Sequence, residues 1–125
     1  MNERILYLDD EPAILFLMTR MLEHLGYRVA GFTLAAEALA AFEADPSSFD
    51  LVITDLSMPG PSGLEVARQI LQAHPRAAVV IASGSVDPQD EERARAVGVR
   101  AVISKPGSIE AMAEAIGRLL TQDDK

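Results

Sequence analysis

Two adjacent carboxylates, Asp9 and Asp10, follow the apolar run Ile5-Leu6-Tyr7-Leu8, and a third, Asp55, follows Leu51-Val52-Ile53-Thr54. Neighbouring acids resist ionising together, so such a cluster needs a captured proton or a bound cation to offset the repulsion. A lysine, Lys105, ends another strand-like run, and a small hydroxyl, Ser83, follows Ala82 at the end of one more. Three acids, a lysine and a hydroxyl at strand ends suit a hard cation and a phosphoryl group. Mg2+ prefers octahedral oxygen ligands and is usually held by one or two carboxylates plus a phosphate, which makes Asp9, Asp10 and Asp55 its candidate ligands. Asp55 alone ends what reads as the central strand, where its carboxylate could attack a phosphoryl group as a nucleophile and give an acyl phosphate. The cation and Lys105 would neutralise charge on the transferred group. Ser83, followed by Gly84, would offer a hydroxyl and approachable backbone donors to a phosphate oxygen. Each residue alone has a plainer reading: Asp9 and Asp10 as helix-start acids, Lys105 as a solvated lysine before a turn, Ser83 as a turn serine.

The elements that must position these groups alternate along the chain. Apolar runs of strand length fall near residues 4–8, 27–31, 50–54, 78–82 and 100–103. Helical periodicity falls near 12–25, 34–44, 63–73, 88–97 and 108–121. Pro12 and Pro88 suit first helical positions, where the fixed backbone angle helps and the missing N–H is not needed. Ser62 followed by Glu65 has the spacing of a capping box, and Asp87 can cap the helix that Pro88 opens. Gly26 and Gly98 sit where the first and fourth helices should stop. Such alternation predicts an α/β fold, a doubly wound five-stranded parallel sheet covered on both faces by five helices. The second strand, Tyr27-Arg28-Val29-Ala30-Gly31, alternates in polarity as an edge strand does. In an open sheet of this kind ligands bind beyond the carboxyl ends of the strands, and all five chemical residues lie on that rim.

With 125 residues, 49% of them hydrophobic, the chain is sized for one domain with a real core. The expected division is a single domain over residues 1–121 and a frayed tail over 122–125. The absence of cysteine excludes disulfides and thiolate metal sites. A net charge of -8 disfavours nucleic acid and anionic lipid as partners. The start, Met-Asn-Glu-Arg-Ile, lacks the regions of a signal peptide, and no apolar run approaches the roughly 20 residues of a membrane span. A cytoplasmic protein without direct contact to membrane is therefore expected.

Asp9-Asp10-Glu11-Pro12, Thr54-Asp55-Leu56-Ser57-Met58-Pro59 with Gly63 eight positions after the acid, Ala82-Ser83-Gly84 and Lys105-Pro106 together resemble the receiver domain of two-component response regulators, the CheY-like family. The resemblance covers essentially the whole chain. It implies the flavodoxin-like receiver fold with sheet order 2-1-3-4-5. It also implies that Asp55 accepts a phosphoryl group from a histidine of a kinase or phosphotransfer protein. Asp9 and Asp10 would hold Mg2+ together with Asp55 and the backbone carbonyl of Ser57, while Ser83 and Lys105 would engage the phosphate. Such a domain is not an enzyme beyond catalysing its own phosphorylation and dephosphorylation. It signals to a downstream protein, of unknown identity here, by changing the surface of its fourth helix, fifth strand and fifth helix.

Two positions depart from the family's habit. Val102 stands where an aromatic ring usually turns inward, three residues before the lysine, and Gly107 follows Lys105-Pro106 where many members have an aromatic. A muted response on the fourth-helix face is the expectation. The resemblance also implies that Ser57 and Ser85 flank the expected path of attacking water and tune acyl-phosphate lifetime, and their small side chains point to an intermediate one.

The first helix is unusually apolar, because Leu15, Phe16 and Leu17 join the core spacing of Ile14, Met18, Met21, Leu22 and Leu25. Either the buried stripe is broad, or the exposed part is a partner surface. By resemblance, the histidine-bearing partner docks there, near Ile14, Phe16 and Leu17. His24 and His74 each end a helix and lie in no kinase-like motif, so both read as surface residues.

Two other functions fit the fold class less well. A small aspartate-nucleophile phosphatase would need a second acid two residues after Asp55, where Ser57 stands. A flavin or nucleotide module would need a phosphate loop after the first strand, where this chain places Asp-Asp-Glu.

Overall fold

The computed structural model describes residues 3–58, 60–84, 87–105 and 109–121. Pro59, Ser85, Pro106, Gly107 and the tail over 122–125, all used in the sequence reading, lie outside them. Five parallel strands, β1 (Arg4–Leu8), β2 (Arg28–Phe32), β3 (Leu51–Asp55), β4 (Val79–Ser83) and β5 (Ala101–Ser104), form one sheet in the order β2-β1-β3-β4-β5. Between and after them run α1 (Pro12–His24), α2 (Ala35–Ala44), α3 (Gly63–Ala73), α4 (Pro88–Val97) and α5 (Ile109–Thr121). The doubly wound arrangement and its strand order are as expected.

Two apolar layers sandwich the sheet. Ile5, Tyr7, Leu51, Ile53, Val80 and Ala82 meet Met18 and Leu22 of α1 and Ile116 and Leu119 of α5 on one face. On the other face Leu6, Leu8, Val52, Val79 and Ile81 meet α2, α3 and α4 through Phe42, Val66, Ile70 and Ala94. Strand residues alternate between these layers because successive side chains point to opposite faces. That double burial explains why β1, β3 and β4 had to be continuous apolar runs. Strand β2 has one neighbour, β1, and its outer positions Arg28 and Gly31 are exposed, as its polarity indicated.

Local signals acted largely as read. Asp87 accepts the Gln89 N–H at 2.7 Å, a cap of the kind worth about 1 kcal/mol. Gly98 ends α4 in the left-handed conformation with φ of 104°. The Ser62 hydroxyl accepts the Glu65 N–H at 3.2 Å, but only half of the capping box forms. The Glu65 carboxylate turns outward to Arg68 and Gln69 instead of back to the cap.

Boundaries moved by about one residue. Strands β2 to β5 begin one residue later than their apolar runs suggested, and β3 and β4 therefore end on the polar residues Asp55 and Ser83. Leu34 is the exposed N-cap of α2, not its first residue. A short 3-10 turn, Pro46–Ser48, went unforeseen; the Ser48 hydroxyl closes it by donating to the Asp45 carbonyl at 2.8 Å.

Candidate functional site

The parallel ladder carries the acids to one rim. Tyr7 pairs with Ile53 and Leu8 with Thr54, while Asp55 lies beside Ala82, so the ends of β1, β3 and β4 run level. Asp9 follows Leu8 directly, and its backbone N–H donates to the Phe32 carbonyl at 3.0 Å. Asp9 continues the alternation of Ile5 and Tyr7, and Asp55 that of Leu51 and Ile53, which turns both carboxylates to the α1/α5 face. The Lys105 N–H donates to the Ser83 carbonyl at 2.8 Å, fixing the lysine beside the end of β4.

Side chains then converge. The Lys105 ammonium lies 2.9 Å from Asp9 Oδ2 and 2.9 Å from Asp55 Oδ1. Asp9 is completely buried and Asp55 only 7% exposed, so these charges interact with little screening. Oxygens of Asp9, Asp10 and Asp55 all lie within 4.8 Å of one another. Ser83 is buried at the same rim, whereas Ser57 is exposed in the loop after β3. All five predicted side chains, Asp9, Asp10, Asp55, Ser83 and Lys105, thus stand at the carboxyl end of the sheet.

The plain reading of Asp9 holds beside the chemical one. Its Oδ1 accepts the Glu11 N–H at 3.0 Å at the entrance to α1, while Oδ2 faces the lysine. Glu11 itself, the N-cap, makes no side-chain cap.

Electrostatics follow from this crowding. Burial raises the Asp55 carboxyl above its ordinary range, the Asp9 and Asp10 charges push the same way, and Lys105 opposes them without winning. Burial pulls Lys105 down, but its hydrogen bonds to Asp9 and Asp55 and their charges outweigh that, leaving it raised. Three carboxylates against a single ammonium leave an excess of negative charge that a divalent cation would offset. An all-oxygen donor set with no thiolate or imidazole is the chemistry of Mg2+ or Ca2+.

Two contributors escaped the sequence reading. Thr54 buries its hydroxyl by donating to the Asp55 carbonyl at 3.1 Å, steadying the backbone at the strand end. Tyr7 is fully buried on the face that Asp9 shares; burial first, then the charges of Asp9 and Asp55, drive its phenol far above the usual range. Its position two residues before Asp9 was the available signal, since i and i+2 share a strand face.

Neither histidine approaches this rim. His24 is exposed in the last turn of α1. His74 lies 3.2 Å from Glu43 Oε1 and edge-on to Phe42.

Comparison with known proteins agrees with the geometry. The family model for the response regulator receiver domain matches residues 5–117. A putative two-component response regulator of Arabidopsis thaliana, ARR21, is 34% identical over 102 residues, covering 82% of this chain and 16% of that protein. The chain spans between 10% and 24% of the length of the curated relatives compared. A receiver domain protein from Clostridium thermocellum superposes with a TM-score of 0.89 at 31% identity, covering 98% of this chain and 97% of its own. The response regulator TrrA from Thermotoga maritima, crystallised with Mg2+ and BeF, gives a TM-score of 0.84 at 30% identity, covering 94% and 98%.

Proposed function

The chain belongs to the response regulator receiver domain family, and on that premise we propose that Asp55 takes a phosphoryl group from a phosphohistidine of a kinase or phosphotransfer protein in a Mg2+-dependent reaction. The observation that carries this reading is the Lys105 ammonium held 2.9 Å from Asp55 Oδ1 and 2.9 Å from Asp9 Oδ2 amid three clustered carboxylates.

An Asp55 oxygen attacks the phosphorus as the P–N bond to imidazole breaks, and the product is an acyl phosphate. Asp9, Asp10, Asp55 and the Ser57 carbonyl would hold Mg2+, which supplies positive charge to the phosphoryl oxygens. Lys105 provides a second, fixed positive charge and needs no reorganisation, because Asp9 already anchors it. The Ser83 hydroxyl donates to a phosphoryl oxygen. Burial of the rim keeps water sparse around Asp55, which strengthens these interactions.

Helix α1 opens immediately after the acid pair, and its outer face supports a role in docking. Phe16 is 64% exposed and Leu17 55% exposed, while Ile14 packs against the core. The broad-stripe alternative therefore fails for Phe16 and Leu17, which suit an apolar partner helix. Phosphorylation then changes charge at one rim and alters contacts with a downstream protein, without direct binding to nucleic acid or membrane.

The domain turns over no separate substrate; its chemistry is its own phosphorylation and dephosphorylation. No helix among the described residues is long and apolar enough to cross a membrane, and a cytoplasmic setting fits the proposed role. A phosphatase finds no support, since the position two residues after Asp55 holds Ser57. Intact mass after incubation with Mg2+ and acetyl phosphate tests the reading: one added phosphate is expected on the native chain and none on Asp55→Asn. Equal phosphate uptake by the two would reject it.

A further inference from the structure

Tyr7 stands in the α1/α5 layer with Met18, Leu22, Ile53 and Ile116, completely buried, and its hydroxyl has no hydrogen-bond partner among the described residues. A buried hydroxyl left unpaired is costly, so its presence calls for a physical reason. We propose that Tyr7 is a positioning residue for Asp55: its hydroxyl donates to one buried water, and that water donates to Asp9 Oδ2 and Asp55 Oδ1 from the side away from Lys105. Its part in phosphorylation rests on Asp55 being the phosphoacceptor.

Strand register brings the three side chains together. Tyr7 lies two residues before Asp9 and directly beside Ile53, which itself lies two residues before Asp55. All three side chains therefore leave the same face of the sheet. Such neighbours are about 6.7 Å apart along a strand and about 4.8 Å apart across strands, and their side chains lean along the strand. Burial first, then the charges of Asp9 and Asp55, raise the phenol far above its usual range, so it stays protonated and can donate.

Hydrogen-bonding capacity sets the form of the bridge. Each carboxylate oxygen has two lone pairs, and Lys105 engages one on Asp9 Oδ2 and one on Asp55 Oδ1 at 2.9 Å each. The second lone pair of each oxygen suits a donor on the side away from the ammonium. Tyr7 makes no direct bond to either acid, whereas one water spans about 5 Å between donor and acceptor. Accepting from Tyr7 and donating to both acids gives that water three hydrogen bonds, about the number a buried water makes. Gripped by the lysine on one side and the water on the other, the Asp55 carboxylate keeps its orientation at the rim.

Two experiments on the full chain test this. A crystal structure grown without divalent cations should show one ordered water within hydrogen-bond reach of Tyr7 Oη, Asp9 Oδ2 and Asp55 Oδ1, and Tyr7→Phe, which keeps the ring, should lose it. No ordered water there, or a Tyr7 hydroxyl bonded to a protein atom instead, would overturn the proposal. Phosphorylation of Tyr7→Phe by acetyl phosphate with Mg2+ should be about tenfold slower than that of the native chain, as for loss of one hydrogen bond to a charged group. A merely structural hydroxyl would move the urea midpoint and leave this rate alone, so equal rates would overturn the proposal while Asp55 stands as the acceptor. A native chain that takes up no phosphate would reject Asp55 itself, and with it the part assigned to Tyr7.

Discussion

A Cβ placed on Gly63 would fall inside the carbonyl oxygen of Asp55 and within 3.0 Å of its carbonyl carbon. Helix α3 therefore starts in direct contact with the backbone of the proposed phosphoacceptor, and the Gly63 N–H donates to the Leu56 carbonyl at 2.9 Å. Gly63→Ala should force the two apart at a cost of about 1–3 kcal/mol, read as a lower urea midpoint. Phosphorylation from acetyl phosphate should slow as well, because the displaced backbone carries Asp55. An unchanged midpoint and rate would show that α3 yields freely.

The same contact shows what the sequence made legible. Gly63 was visible as a spacing eight residues from Asp55, but the close approach that forbids a side chain there needed coordinates. The order of elements was readable because β1, β3 and β4 are buried on both faces and so cannot tolerate polar interruptions. Strand ends were less readable: polarity stopped the reading at Thr54 and Ala82, whereas the backbone ladder continues through Asp55 and Ser83. The Pro46–Ser48 turn is too short to show a period. The Tyr7 environment and the contact of Phe42 with His74 depend on residues far apart in the chain.

Asp55 makes a signed prediction about pH. Its folded-state carboxyl is raised above the ordinary 3.8, so the folded chain holds this proton more tightly than the unfolded chain. This contribution to stability is lost as pH rises through that window, and ionised Asp55 is a net cost above it. Without divalent cations Asp55→Asn should melt higher than the native chain at pH 7, and the gap should close as pH falls toward about 4. Mg2+ should narrow the gap at pH 7 by stabilising the native chain more. A variant that melts lower than the native chain at pH 7 in chelator would contradict the charge balance assigned to the site.

The proposed docking on α1 would separate two sources of phosphate. Phe16→Glu puts a charge at a 64% exposed position, so the fold should be unaffected. Transfer from a phosphohistidine partner should slow about tenfold or more, corresponding to loss of a buried aromatic anchor. Uptake from acetyl phosphate should stay at the native rate. Equal slowing of both, or of neither, would remove α1 from the docking surface.

Val102 carries a prediction about the strength of the response. It packs against the α2/α3/α4 face and borders a hollow of about 240 Å³ lined by Glu91, Ala94 and Arg95 of α4. Valine has no ring to swing into or out of such a space. Adding beryllofluoride with Mg2+ should shift the amides of residues 87–103 only slightly, and Val102→Tyr should enlarge those shifts. Large changes across α4 and β5 in the native chain would show that other residues carry the switch.

Assignment of the acyl phosphate to Asp55, and not to either acid of the leading pair, has a direct chemical test. Borohydride reduces an acyl phosphate to the corresponding alcohol, so treating the phosphorylated chain and mapping its peptides by mass spectrometry identifies the acceptor. Homoserine at position 55 alone is expected. Homoserine at Asp9 or Asp10, or an unmodified peptide around Asp55 from a fully phosphorylated chain, would contradict it.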